Sequence, residues 1–258
     1  MKKPVFRAVL ASLALSFAAG SASAVVVNAT TDAGVLANAL AGSGIIISNA
    51  TLASASATAA GTFTSGGNIG FDKGILLTTG QVSCAVGPNN NTGCTGPGTT
   101  TSLKFNFVST TGNVFFNYVF ASEEYNEFVN TSFNDLFELR LNNVNIALLP
   151  NGAGDVSINN VNNGKNAAYF RDNTGSAGIN TQYDGLTTVL TAQAKGLVGM
   201  NTFEFFITDR GDSSLDSGVF IQGGTFAADP SPIPEPASLS LLGLGLLGMF
   251  AAKRRKAA

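Results

Sequence analysis

Leu103-Lys104-Phe105-Asn106-Phe107-Val108 places Leu103, Phe105 and Phe107 at every second position, the period of a strand with one buried face. Working outward, Val114 to Ala121 and Phe203 to Ile207 are aromatic-rich and read as strands buried on both faces. Ile45-Ile46-Ile47 and Ile75-Leu76-Leu77 are short apolar runs bounded by Gly, Asn and Ser. Leu136, Leu139 and Leu141 sit in another strand, and Val219 to Phe226 closes the set. Asn151-Gly152 and Asn163-Gly164 are turn dipeptides. Many short strands punctuated by Gly and Asn predict a mainly β protein, an antiparallel β-sandwich-like domain with one or two short helices. One helix covers Val35, Leu36, Ala39 and Leu40, capped by Thr31 or Asp32 and ended by Gly42 and Gly44; a second runs through Gly185 to Ala194. Ala50 to Asn68 reads as a loose strand pair or a loop.

Composition narrows the chemistry. The 258 residues include no His and no Trp, which excludes Ser-His-Asp and Cys-His catalysis and His-ligated zinc, and removes the commonest platform for stacking sugars. A 45 % hydrophobic content supports a packed core. The formal charge of −2 hides an asymmetry. Basic residues cluster at Lys2, Lys3 and Arg7 and at Lys253, Arg254, Arg255 and Lys256, so the segment from Val25 to Ile233 is strongly acidic. Such a body has no electrostatic footprint for nucleic acid. Cys84 and Cys94 flank a Gly-, Pro- and Asn-rich loop; in an exported chain they are expected to form a disulfide.

The termini read as addresses. Residues 1–24 have the three parts of a signal peptide: basic residues, an apolar run from Ala8 to Ala19, and Ala22-Ser23-Ala24, with cleavage expected between Ala24 and Val25. The body is expected over 25–228, followed by a Pro-rich linker over 229–236. An apolar anchor segment over 237–252 and a basic cytoplasmic tail over 253–258 complete the chain. Sixteen helical residues reach about 24 Å, slightly short of a bilayer core. Pro234-Glu235-Pro236-Ala237-Ser238, then the apolar stretch and the basic cluster, resembles the PEP-CTERM sorting signal of Gram-negative bacteria that make exopolysaccharide. The resemblance implies transient inner-membrane anchoring, recognition by an exosortase-type enzyme, and release to the cell surface or extracellular matrix.

Two acid-rich stretches follow apolar strands. Phe120 to Phe128 carries Glu123 and Glu124, with Asp135 just beyond; Thr208 to Ser217 carries Asp209, Asp212 and Asp216. If those strand ends meet, the six acids are candidate ligands for Ca²⁺, which takes six to eight oxygens. Glu124, Asp135, Asp212 and Asp216 are the expected core of that set. The spacing is not that of an EF-hand. These stretches, with Asn145 to Pro150, Tyr183-Asp184-Gly185-Leu186-Thr187 and Asp216 to Ile221, resemble the choice-of-anchor L domain over roughly Thr30 to Phe226. That resemblance implies a place at the bacterial surface, with no enzymatic activity and no ligand attached to it. The expectation is a secreted, non-enzymatic surface or matrix protein with a structural or adhesive role, with no catalytic residues. The alternative is a Ca²⁺-dependent, lectin-like module for exopolysaccharide, and a carboxylate-based glycan hydrolase ranks below both.

Overall fold

The structure is a computed structural model and describes residues 24–231, apart from 55, 91–92, 94–98, 176–177 and 212–213. The chain opens with β1 (Val26–Ala29), helix α1 (Ala33–Leu40), β2 (Ile45–Ser54), β3 (Ala60–Thr64) and β4 (Gly74–Thr78). The middle holds β5 (Thr100–Ser109), β6 (Val114–Ser122), β7 (Leu136–Leu141) and β8 (Val144–Asn145). The last part holds β9 (Phe170–Asp172), β10 (Gly185–Thr187), β11 (Leu190–Ala194), β12 (Met200–Thr208) and β13 (Ser217–Gln222). Asp32 caps α1, its Oδ1 accepting from the N–H groups of Gly34 and Val35 at 2.8 and 3.1 Å.

All named strand pairs are antiparallel. One sheet runs β1-β3-β4-β13-β6-β10-β9, with β11 also on β6; the other runs β2-β5-β12-β7-β8. The expected sandwich is the observed one. Between the sheets, Phe105, Phe107, Phe116, Phe203, Phe205 and Phe226 are all but shut from solvent. The larger sheet has a second apolar layer on its outer face, where Phe63, Ile69, Phe71, Val82 and Tyr183 pack on Leu76, Val119 and Phe220. Covered on both sides, β4 and β6 are buried at every position.

Three local expectations change. Phe203 to Ile207 is buried on one face only, because β12 lies in the smaller sheet, whose outer side is partly open. There Glu204 and Phe206 point outward, and the Arg140 guanidinium lies 3.8 Å from the Phe206 ring centroid while pairing with Glu138 and Glu204. Gly185 to Ala194 is not a helix: it forms β10 and β11, both on β6, whose row of unpaired backbone groups outweighs the helix-like spacing of Leu186, Val189 and Leu190. The closing strand ends at Gln222, and Phe226 and Ala227 make isolated bridges to Ala41 and Phe115. Ala50 to Asn68 resolves into the rest of β2 and all of β3.

Asparagine side chains supply hydrogen bonds in the irregular stretches between β6 and β9. Asn159 N–H donates to Asn134 Oδ1 at 2.8 Å, and Asn160 Nδ2 donates to the carbonyls of Ala153 and Asp155. Asn126 and Asn163 both donate to Asp172 Oδ2, while Thr174 donates twice to its Oδ1. Burial pushes the Asp172 carboxyl up, but these bonds outweigh it and hold it below its usual range.

Candidate functional site

The pleat decides where each acid goes. On β7, Phe137, Leu139 and Leu141 face the space between the sheets, and Asp135 stands two residues before Phe137. On β12, Phe203, Phe205 and Ile207 face the same space, and Asp209 extends that row. Glu124 reaches it from the end of β6, its N–H donating to Ser122 Oγ at 3.0 Å. Glu124, Asp135 and Asp209 come together there, offering carboxylate oxygens within 4.8 Å of one another. Glu124 and Asp135 are buried, and Arg210 N–H donates to Asp135 Oδ1 at 2.9 Å. Grouped carboxylate oxygens are the donor type a hard ion such as Ca²⁺ takes.

Glu123 and Asp216 lie elsewhere. Phe220 faces the outer layer, and Gly218 and Asp216 continue its row on β13. The register Ser217↔Ser122, carried one residue further, sets Asp216 opposite Glu123, and Glu123 N–H donates to the Asp216 carbonyl at 3.1 Å. Both side chains are buried, at 4 % and 3 % exposure. Thus the acids expected in one ring divide: three meet between the sheets, and Glu123 and Asp216 occupy the opposite face of the larger sheet. Asp212 lies outside the described residues.

Around the second pair the packing is close. A methyl group on Gly80 would overlap the Asp216 carboxylate, and one on Gly218 would overlap the Tyr183 hydroxyl. Asp216 Oδ2 accepts from Gln81 N–H at 3.0 Å; burial nevertheless raises its carboxyl to about 6. Burial first, then the charges of Asp216 and Glu123, push Tyr183 well above the usual tyrosine range and keep it neutral. Glu123 also lines a pocket of about 290 Å³ with Glu127, Phe128, Gln182, Asp184 and Leu215. Burial and the charges of Glu127 and Asp172 raise the Asp184 carboxyl, against a hydrogen bond from Asn89. Tyr183 and Asp184 were legible only as part of the Tyr-Asp-Gly-Leu-Thr run, which carries no ligand signature of its own.

Cys84 is buried in a 3-10 turn over Val82–Ala85 and is not a free thiol. Cys94 lies outside the described residues. Thiol labelling under denaturing, non-reducing conditions is expected to find no reactive cysteine; two labelled cysteines would refute the Cys84–Cys94 bridge. The signal segment before Ala24, the Pro234-Glu235-Pro236 motif, the segment 237–252 and the basic tail 253–258 also lie outside the described residues. Among the described residues no helix is long and apolar enough to cross a membrane.

A two-sheet antiparallel body with acid-bearing strand ends defines a mainly β module. The family model of the choice-of-anchor L domain matches residues 24–227, and that of the PEP-CTERM protein-sorting motif matches residues 232–256. The chain belongs to the choice-of-anchor L family. Its sorting motif marks it for export, processing by an exosortase-type enzyme and a cell-surface destination. No curated protein and no solved structure matches the chain.

Proposed function

We propose that this protein is a non-enzymatic structural or adhesive component of the cell surface or extracellular matrix of a Gram-negative bacterium. It is held briefly in the inner membrane by residues 237–252 and released by cleavage near Pro234 to Pro236. The observation that carries this reading is the order of the two matches, a surface-family body over 24–227 followed directly by a sorting motif over 232–256. Intact mass of protein recovered from the cell surface or medium tests it. The expected species begins at Val25 and lacks Leu239 to Ala258; a mass that retains that tail overturns release.

Calcium is the cofactor we assign to this body, held by Glu124, Asp135 and Asp209. The support is geometric: the three offer carboxylate oxygens within 4.8 Å of one another, the donor type a hard cation takes. An ion bound by the folded state alone stabilises it by about 2.7 kcal/mol at a hundredfold excess over Kd. Thermal melts are therefore expected to rise with millimolar calcium and fall with chelator, with part of the rise lost in Asp135→Asn. A wild-type melt indifferent to calcium removes the cofactor and leaves the sorting reading intact. The lectin-like alternative draws on the pocket beside Glu123 and Asp184, whose carboxylates can accept sugar hydroxyls. A polysaccharide pull-down with and without chelator tests it.

A further inference from the structure

On the outer face of the larger sheet, Glu123 and Asp216 stand opposite each other at neighbouring strand ends, both buried. A third group faces them. The Tyr183 hydroxyl occupies the space left by the missing Gly218 side chain, two residues along the chain from Asp216 and on the same face. It is completely buried and has no hydrogen-bond partner among the described residues. It lies near enough to feel both carboxylates, yet bonds to neither. The hydroxyl therefore faces two acidic side chains from beyond hydrogen-bond distance.

Gly80 fixes the place of the Asp216 carboxylate. Carrying the register Gly218↔Thr78 two residues on sets Gly80 opposite Asp216, on the side away from Glu123. Any side chain there would displace the Asp216 carboxylate, so two glycines on neighbouring strands make room for the two polar groups. Glu123 also lines the pocket shared with Asp184 and Glu127, which brings further carboxylates to its side of the pair.

We propose that Glu123 and Asp216 bind a divalent cation of the calcium class, with the Tyr183 hydroxyl facing the same ion and Asp184 at its outer side. Hard oxygen donors of mixed charge are what such an ion takes, and water from the pocket fills its remaining positions. This site is separate from the one between the sheets and does not depend on the sorting reading.

Terbium luminescence tests it on the purified protein. Terbium replaces calcium at oxygen sites and emits when a nearby aromatic ring transfers energy to it. With four tyrosines and no tryptophan in the chain, a tyrosine must be the donor. The expected result is a saturable tyrosine-excited emission displaced by calcium, with a distinct component of it lost in Tyr183→Phe and in Glu123→Gln; Tyr118 and Tyr125 lie beside the other cluster and account for what remains. Glu123→Gln is expected to weaken calcium binding by about tenfold or more in a calorimetric titration, and Asp184→Asn by less. Asp135→Asn, in the other cluster, is expected to leave that component of the emission in place. The proposal is overturned by absence of emission, by emission unchanged in Tyr183→Phe and Glu123→Gln, or by its loss in Asp135→Asn alone. Should Glu123→Gln not fold, Tyr183→Phe and Asp184→Asn carry the same decision.

Discussion

Phe203→Ala is expected to destabilise the body by about 4 kcal/mol and to lower its melting temperature by roughly 12 °C. Phe203 is fully buried between the sheets, with the rings of Phe205, Phe226 and Phe116 centred 4.8, 5.1 and 5.3 Å away. Those neighbours come from β12 itself, the segment after β13, and β6 of the opposite sheet. Because they are fixed by different elements, they cannot close together over the space a lost ring leaves, and the cavity term adds to the transfer term. Phe206, one residue from the same strand's inward row, faces the opposite way under Arg140. Phe206→Ala is expected to cost much less. Thermal and urea unfolding of both variants measure the difference, and equal losses would contradict the assigned inner face.

Arg171→Met is the second large effect, at about 3 kcal/mol. The guanidinium fork donates from Nε to the Thr187 carbonyl at 3.0 Å, from Nη1 to the Asn68 carbonyl at 3.1 Å, and from Nη2 to the Ile69 carbonyl. Burial lowers its pKa to about 10, which still leaves it charged at neutral pH. Bonds from a charged donor contribute about 1.5–3 kcal/mol each, and their loss leaves carbonyl acceptors without the donors that now satisfy them. The turn holding Asn68 and Ile69 forms part of the outer layer, so its amides are expected to exchange faster in the variant. Arg171→Lys is expected to restore only part of the loss, since one ammonium cannot reach three carbonyls in different directions. Full recovery by lysine would show that charge, and not the fork, holds the turn.

The alternation of Leu103, Phe105 and Phe107 was enough to place β5 and its inward face, and Asn, Gly and apolar runs marked most of the other strands. Parity within one strand is local information. It already implied that Glu123 and Glu124, as neighbours, point to opposite sides of a sheet, and that a ring containing both was strained from the start. What no single stretch contains is which strands become neighbours. Asp135 and Asp209 meet because β7 pairs with β12, and Asp216 stands beside Glu123 because β13 pairs with β6. The same gap in information explains Gly185 to Ala194, where the edge offered by β6 decided the conformation. Tyr183 and Asp184 carried no pattern to distinguish them from core and turn residues; only Gly218 and the facing carboxylates give them a role.

The position of β13 has a consequence for timing. This strand, near the end of the body, fills the centre of the larger sheet between β4 and β6. A chain emerging amino end first exposes β4 and β6 long before the strand that joins them is available. Pairings so distant in sequence are slow to form, and local hairpins cannot substitute for them. Pairs such as β3 with β4 come from neighbouring segments, but the centre of the larger sheet is completed only when β13 joins β4 to β6. The strand that arrives last is thus the one that ties the two halves of the sheet together.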